Sequence, residues 1–190
     1  MVDLLTHLRS HLGESSHEVL RAGPVSVRAW PDPDGDVDVR VLVTLGMSAL
    51  PHASPPPGRC VVADPRVELL LLCPVAYESE FARLLVDLAG YPESENTWLH
   101  WFHNLALGGP FLSGSALTAA FTDVPFLGAA FSTFEHLGLR IDLLWVVPIT
   151  AAEHQCLLAN GFDVFTEVFE AAEPCITDPF RASTIVAGAV

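Results

Sequence analysis

Apolar residues along the chain switch between two periods, and the switches mark the elements. Val2, Leu4, Leu5, Leu8 and Leu12 recur at helical spacing, and Gly13 follows as a stop, which predicts a short amphipathic helix over about 2–12. "PVSVRAW" and "VDVRVLVTL" alternate with period two and are joined by "PDPDGD". Asp34-Gly35 at the centre of that connection predicts a hairpin. In its second arm Val37, Val39, Val41, Val43 and Leu45 are expected on one face, with Asp38, Arg40 and Thr44 on the other. "PHASPPPGR" is stiff and irregular and reads as an exposed loop. "RVELLLLCP" does not alternate, as expected of a strand covered on both faces.

From Glu78 to Gly90 the stripe of Phe81, Leu84, Leu85 and Leu88 predicts a helix. Glu78 and Glu80 suit its start, and Gly90 before Tyr91-Pro92 is expected to stop it. Trp98, Trp101, Phe102 and Leu105 are spaced by threes and fours, which predicts another helix, with a strand as the alternative because aromatics suit both. "SALTAAFT" and "VPFL" read as short strands, and "LRIDLLWVVPI" as a second central strand. Thr150 and Glu153 form a capping box for "AAEHQCLLAN", which Asn160-Gly161 closes, and Phe162, Phe165, Val168 and Phe169 mark a further helix. Strands and helices mix without strict alternation, so the expected class is α+β, a central mixed β-sheet with flanking helices.

At 190 residues, about half of them apolar, the chain is expected to be a single domain, 1–190. Its net charge of −14 disfavours nucleic acid as a ligand; it would attract a basic protein partner, with solubility alone as the other reading. Cys60, Cys73, Cys156 and Cys175 have no regular spacing, and Cys73 and Cys156 sit in apolar runs as core residues do. The N-terminus lacks the pattern of a signal peptide, and "VELLLLCPVA" is too short to cross a bilayer, which leads us to expect a cytoplasmic protein with no membrane partner.

Candidate chemistry is sparse. His100 and His103 stand at i and i+3 and could share a metal on a helix, the basis of an alternative reading as a small metal-dependent hydrolase. The usual pair is at i and i+4 with a glutamate between, whereas Trp101 and Phe102 stand between these two. Ser48 in "GMSAL" lacks the second glycine of a nucleophile elbow, and "GGPFLSGS" lacks the lysine of a phosphate loop. Asp32, Asp34, Asp36 and Asp38 lack the glycine and terminal glutamate of an EF-hand, so a solvated turn is expected. No catalytic residue, metal or cofactor is assigned.

The order of certain short motifs carries more information. "VTLGMSALPH" leads to "RVELLLLCP", then "WVVPITAAEHQCLLANGFDVFTEVF", then "DPFR". That order resembles the Suppressor of fused family over about 20–183. The matching positions are Gly46, Met47, Ser48, Glu68, Leu69, Pro148, Ile149, Thr150, Glu153, Gly161, Asp178, Pro179 and Arg181. The resemblance implies an α+β fold without enzymatic activity. It also implies a protein partner: animal relatives restrain a transcription factor by holding a short peptide as an added strand. Bacterial single-domain members resemble immunity proteins that neutralise a toxin. The two-domain clamp of the animal relatives is not carried over, and about 95–135, which matches least, is where partner specificity is expected.

The loop Gly46-Met47-Ser48 is expected either to make a sharp, plugged exit from a strand or to border a recognition surface. Asp178 and Arg181 are expected to pair locally before the small, apolar tail. All five residues are candidates for contact with the partner.

Overall fold

A computed structural model describes residues 3–56 and 64–185. Val2, Cys60, the end of the proline-rich loop and the last five residues of the apolar tail lie outside the described residues. No helix among the described residues is long and apolar enough to cross a membrane. The class is α+β with a mixed sheet, and the chain forms two compact units.

The first unit holds residues up to Trp101 and Asp123–Trp145. Helix α1 (Leu4–Leu12) opens on Asp3, whose carboxylate accepts from the Thr6 N–H, and ends at Gly13 with φ 90°. Strands β1 (His17–Ala22), β2 (Val25–Pro31), β3 (Val39–Leu45) and β4 (Arg66–Pro74) pair antiparallel in that order. The β2–β3 hairpin is the predicted one. Gly35 takes φ 88° in its turn, where the carboxylates of Asp32 and Asp36 accept from backbone amides. Two details differ: Val37 lies outside the strand and is 77% exposed, while Thr44, expected on a polar face, is wholly buried. Both faces of β3 are covered. Val41 and Val43 join Leu8, Leu12 and Trp30 in one cluster, and Leu42, which alternation turns the other way, is equally buried.

Helix α2 (Glu78–Ser94) buries Phe81, Leu84, Leu85 and Leu88 as predicted but runs past Gly90 through Tyr91-Pro92. Gly90 is helical rather than a stop, and one proline near the last turn costs a single backbone bond. Strand β8 (Leu139–Thr150) runs parallel to β4 through the registers Arg66↔Ile141 to Leu70↔Trp145. "VPFL" is a turn, followed by α3 (Ala129–Ser132) and β7 (Thr133–His136), which pairs antiparallel with the start of β8.

The second unit holds Phe102–Thr122 and the chain from Val146. Strand β8 runs on into it, and the order continues through β6 (Leu117–Asp123) to β5 (Asn104–Ala106). The predicted helix over Trp98–Leu105 is absent. Phe102 takes φ 66°, its N–H bonds the Thr122 carbonyl at 2.7 Å, and Asn104–Ala106 pairs with β6. Helices α4 (Ala151–Asn160) and α5 (Phe162–Ala171) follow, joined at Gly161. The Phe121 ring meets Phe165 and Phe169 edge-on at 5.4 and 5.7 Å, the aromatic heart of this unit. Cys73 and Cys156 are buried free thiols, and burial pushes Cys73 up to about 12, so both pack as small apolar groups.

Candidate functional site

The family-like residues gather round two buried carboxylates, one in each unit. Glu68 is the only charged residue among the apolar side chains of Val67–Cys73, and its side chain is wholly buried. Gly46, in the left-handed region at φ 104°, turns the chain sharply out of β3 into the short 3-10 turn Met47–Ala49. That bend aims successive backbone amides at one point, the geometry of an anion nest. Glu68 fills it. Its Oε1 accepts from the Gly46 N–H at 3.0 Å, the Ser48 N–H at 3.0 Å and the Ser48 hydroxyl at 2.7 Å. Its Oε2 accepts from the Met47 N–H at 3.2 Å and the Thr44 hydroxyl at 2.7 Å. Burial pushes the Glu68 carboxyl up, and the donors of Ser48, Thr44 and Gly46 pull against it without prevailing.

Two further features hold the loop. A Cβ on Gly46 would stand 2.5 Å from the Pro24 carbonyl oxygen, so only glycine fits there. Arg66 donates to the Ser48 carbonyl at 3.2 Å and forks onto Asp64. Met47 is buried and plugs the loop into the core.

The second carboxylate belongs to Glu153, at the third position of α4. The capping box forms as predicted: the Glu153 N–H donates to the Thr150 hydroxyl, and the Thr150 N–H donates to Glu153 Oε2 at 2.8 Å. Glu153 is also the partner of Arg181. The guanidinium donates twice, at 2.6 and 2.8 Å, and once more to the Pro148 carbonyl at 3.0 Å. It lies 5.3 Å from the Phe169 ring centre, and Thr184 adds its N–H and hydroxyl to Glu153 Oε1. Burial raises the Glu153 carboxyl, but Arg181 and the Thr184 and Thr150 amides outweigh it and hold it below the usual glutamate value.

The expected local pair of Asp178 with Arg181 is therefore corrected. Arg181 turns inward to a buried acid, the better partner for a desolvated guanidinium, while Asp178 accepts from the Phe180 N–H at 2.8 Å. The glycine-rich loop before β6 serves the same corner, because the Ser115 hydroxyl donates to the Pro179 carbonyl at 2.6 Å.

The proposed histidine pair loses its helix. His100 Nε2 lies 3.3 Å from Asp142, a buried acid that also accepts from Thr133 at 2.6 Å and Arg140 at 2.9 Å. Burial raises Asp142, but His100, Thr133 and Arg140 together hold it low. His103 is bound through its backbone to Thr122. Among the described residues, no group of three or more His, Cys, Asp or Glu could hold a metal.

Beside the Gly46–Ser48 turn lies a small, mostly apolar crevice of about 10 Å³, lined by Met47, Ser48, Leu50, Pro51, Val67 and Leu99 among others. Sequence reasoning did not identify Glu68 and Glu153 as the hubs. The signal was present: an acid inside an apolar strand must find donors, and Arg181, the sole Arg or Lys after Arg140, suits a buried partner.

The model of the Suppressor of fused protein (SUFU) family matches residues 13–182. No curated protein matches the sequence. Among solved structures, a protein described as a Suppressor of fused homologue from Neisseria gonorrhoeae is similar with TM-score 0.72 at 17% identity, over 96% of this chain and 94% of that one. A chain of the Sufu–Fu complex is similar with TM-score 0.68 at 14% identity, over 95% and 90%. Drosophila Suppressor of Fused is similar with TM-score 0.57 at 12% identity, over 84% of this chain and 42% of its own. At these identities the likeness is one of fold.

Proposed function

The chain belongs to the Suppressor of fused family, and from that premise we propose that it is a non-enzymatic module that binds and neutralises a protein partner. The model for this role is a cytoplasmic immunity protein acting on a basic toxin. The observation that carries the reading is how its buried carboxylates are used. Glu68 and Glu153 have every acceptor position turned toward donors of their own unit, so they fix loops in place rather than standing ready to move protons. Loops already held in one shape bind with a smaller ordering cost. That one solved relative is a Sufu–Fu complex supports a protein as the bound species.

In this proposal Met47 and Ser48 line the apolar crevice, with Met47 as an adaptable wall, and Gly46 sets the turn that carries them. In the other unit Asp178 contributes charge, and Arg181 acts from beneath by holding the 178–181 turn through Glu153. The net charge of −14 suits a basic partner.

The test is co-expression of the tagged chain with the product of each adjacent gene. A one-to-one complex with a basic protein, together with loss of that protein's toxicity, supports the proposal. Substrate turnover with stoichiometric zinc that disappears in the His100→Ala, His103→Ala variant would overturn it.

A further inference from the structure

Helix α5 carries three parallel stripes. Phe162, Phe165 and Phe169 face the aromatic core of the second unit. Asp163, Glu167 and Glu170 recur at i, i+4 and i+7 and are exposed. Val164, Val168 and Ala171 repeat the same spacing one residue later and are also exposed, Val164 by 44% and Val168 by 37%. An isolated exposed valine needs no explanation, but a continuous apolar ridge laid against an acidic one does.

The charge around this ridge is one-sided for a structural reason. Arg181 is the only Arg or Lys in the second unit, and Glu153 holds it inside. Five acids are left: Asp163, Glu167, Glu170 and Glu173 are exposed, and Asp178 is half-buried. Nearby His154 adds no compensating charge near neutral pH, because burial pushes its imidazole down.

We infer that the outer face of α5 is a docking surface for a basic amphipathic helix of the protein partner, with apolar residues on the Val164–Val168 ridge and Lys or Arg along the Asp163–Glu167–Glu170 stripe. The inference rests on the protein-binding reading above and adds to it a face and an occupant. A helix fits because its i, i+4 and i+7 positions form a ridge that can lie along the two stripes. Complementary charge then sets orientation and encounter rate.

The experiment uses the full chain and two synthetic helical peptides with leucines at helical spacing, one filled out with lysine and the other with glutamate. Binding is read by fluorescence anisotropy and located by amide chemical shifts. The lysine peptide is expected to bind, with shifts concentrated over residues 162–171, and the glutamate peptide to bind at least about tenfold more weakly. Glu167→Lys with Glu170→Lys should weaken the lysine peptide about tenfold or more, whereas Asp34→Lys with Asp36→Lys in the hairpin turn should leave it nearly unchanged. Val164→Ser with Val168→Ser should also weaken it. Should the charge reversals unfold the chain, Glu167→Gln with Glu170→Gln and the shift map of the native chain decide the matter.

Four outcomes overturn the inference: shifts centred elsewhere, equal loss with the hairpin variant, no binding of the lysine peptide, or self-association of the chain through Val164 and Val168. None of these touches the co-expression test. A missing toxin-like partner would sink the broader reading while leaving the peptide result to stand or fall alone.

Discussion

At the scale of single residues, the Gly46-Met47-Ser48 turn is a shell built round Glu68. Three successive amides converge on a fully buried carboxylate, so the loop's shape and the acid's burial sustain each other. Glu68→Gln places an amide NH₂ where one oxygen now meets donors, and is expected to cost about 1–3 kcal/mol in urea denaturation. The carboxyl is raised in the fold, so its contribution is fully present at low pH and fades as pH rises through the folded value, and the loss on substitution should be largest at low pH and shrink toward neutral pH. A loss that stayed the same from acid to neutral pH would contradict that assignment. Gly46→Ala faces both φ 104° and a clash at 2.5 Å with backbone, and strain alone is worth about 1–3 kcal/mol. The glycine and the methionine plug were legible in the sequence. The role of Glu68 was not, because its donors come from residues 20 to 24 positions away.

At the scale of elements, periodicity served where packing is local or uniform. The hairpin, the two apolar strands and both C-terminal helices form where their patterns place them, although Val37 and Val168, counted with the apolar faces, are exposed. Strand β1 escaped notice because it lies at the sheet edge with "HEVLRA" largely exposed, leaving no apolar alternation to read. The Trp98–Leu105 spacing misled for another reason. The Trp101 indole N–H bonds the Leu143 carbonyl at 2.9 Å, and β6 supplies strand bonds that local spacing cannot announce. The capping box gives a modest test: Thr150→Ala should lower stability by about 1 kcal/mol without altering partner binding in the cold.

Arg181 gives a sharper test, because removing one partner of a buried pair costs about 3–5 kcal/mol. The sign of its pH dependence is informative. Glu153 is held below its ordinary value of 4.5, so its contribution is present above that pH and fades as pH falls through the folded value. In Arg181→Met the buried acid loses its cation and its pKa should rise. The stability lost on substitution should therefore shrink on acidification, and a loss that grew instead would refute the pairing as the cause.

At the scale of the whole molecule, charge is the property composition states most plainly and locates least. The sequence contains 23 acids against nine arginines and no lysine, and the structure turns one of those arginines, Arg181, inward onto Glu153. Arg181 spends its charge on Glu153, so the second unit's remaining acids face no arginine or lysine of their own. A net charge of −14 on a chain this size produces a field that a basic partner feels at long range in dilute salt. Raising sodium chloride from about 0.05 to about 0.5 M shortens the Debye length from above about 10 Å to about 4 Å. Association with a partner captured by co-expression should therefore slow steeply over that range, measured by stopped-flow or surface binding. Dissociation should change less, since apolar contacts at the interface centre are screened hardly at all. Charge reversal at Glu167 and Glu170 should flatten the salt dependence of the association rate if the α5 face is where the partner lands. An association rate that did not respond to salt would mean that the acidity serves solubility, and the partner's chemistry would then have to be sought in the apolar ridge and the crevice beside Met47 instead.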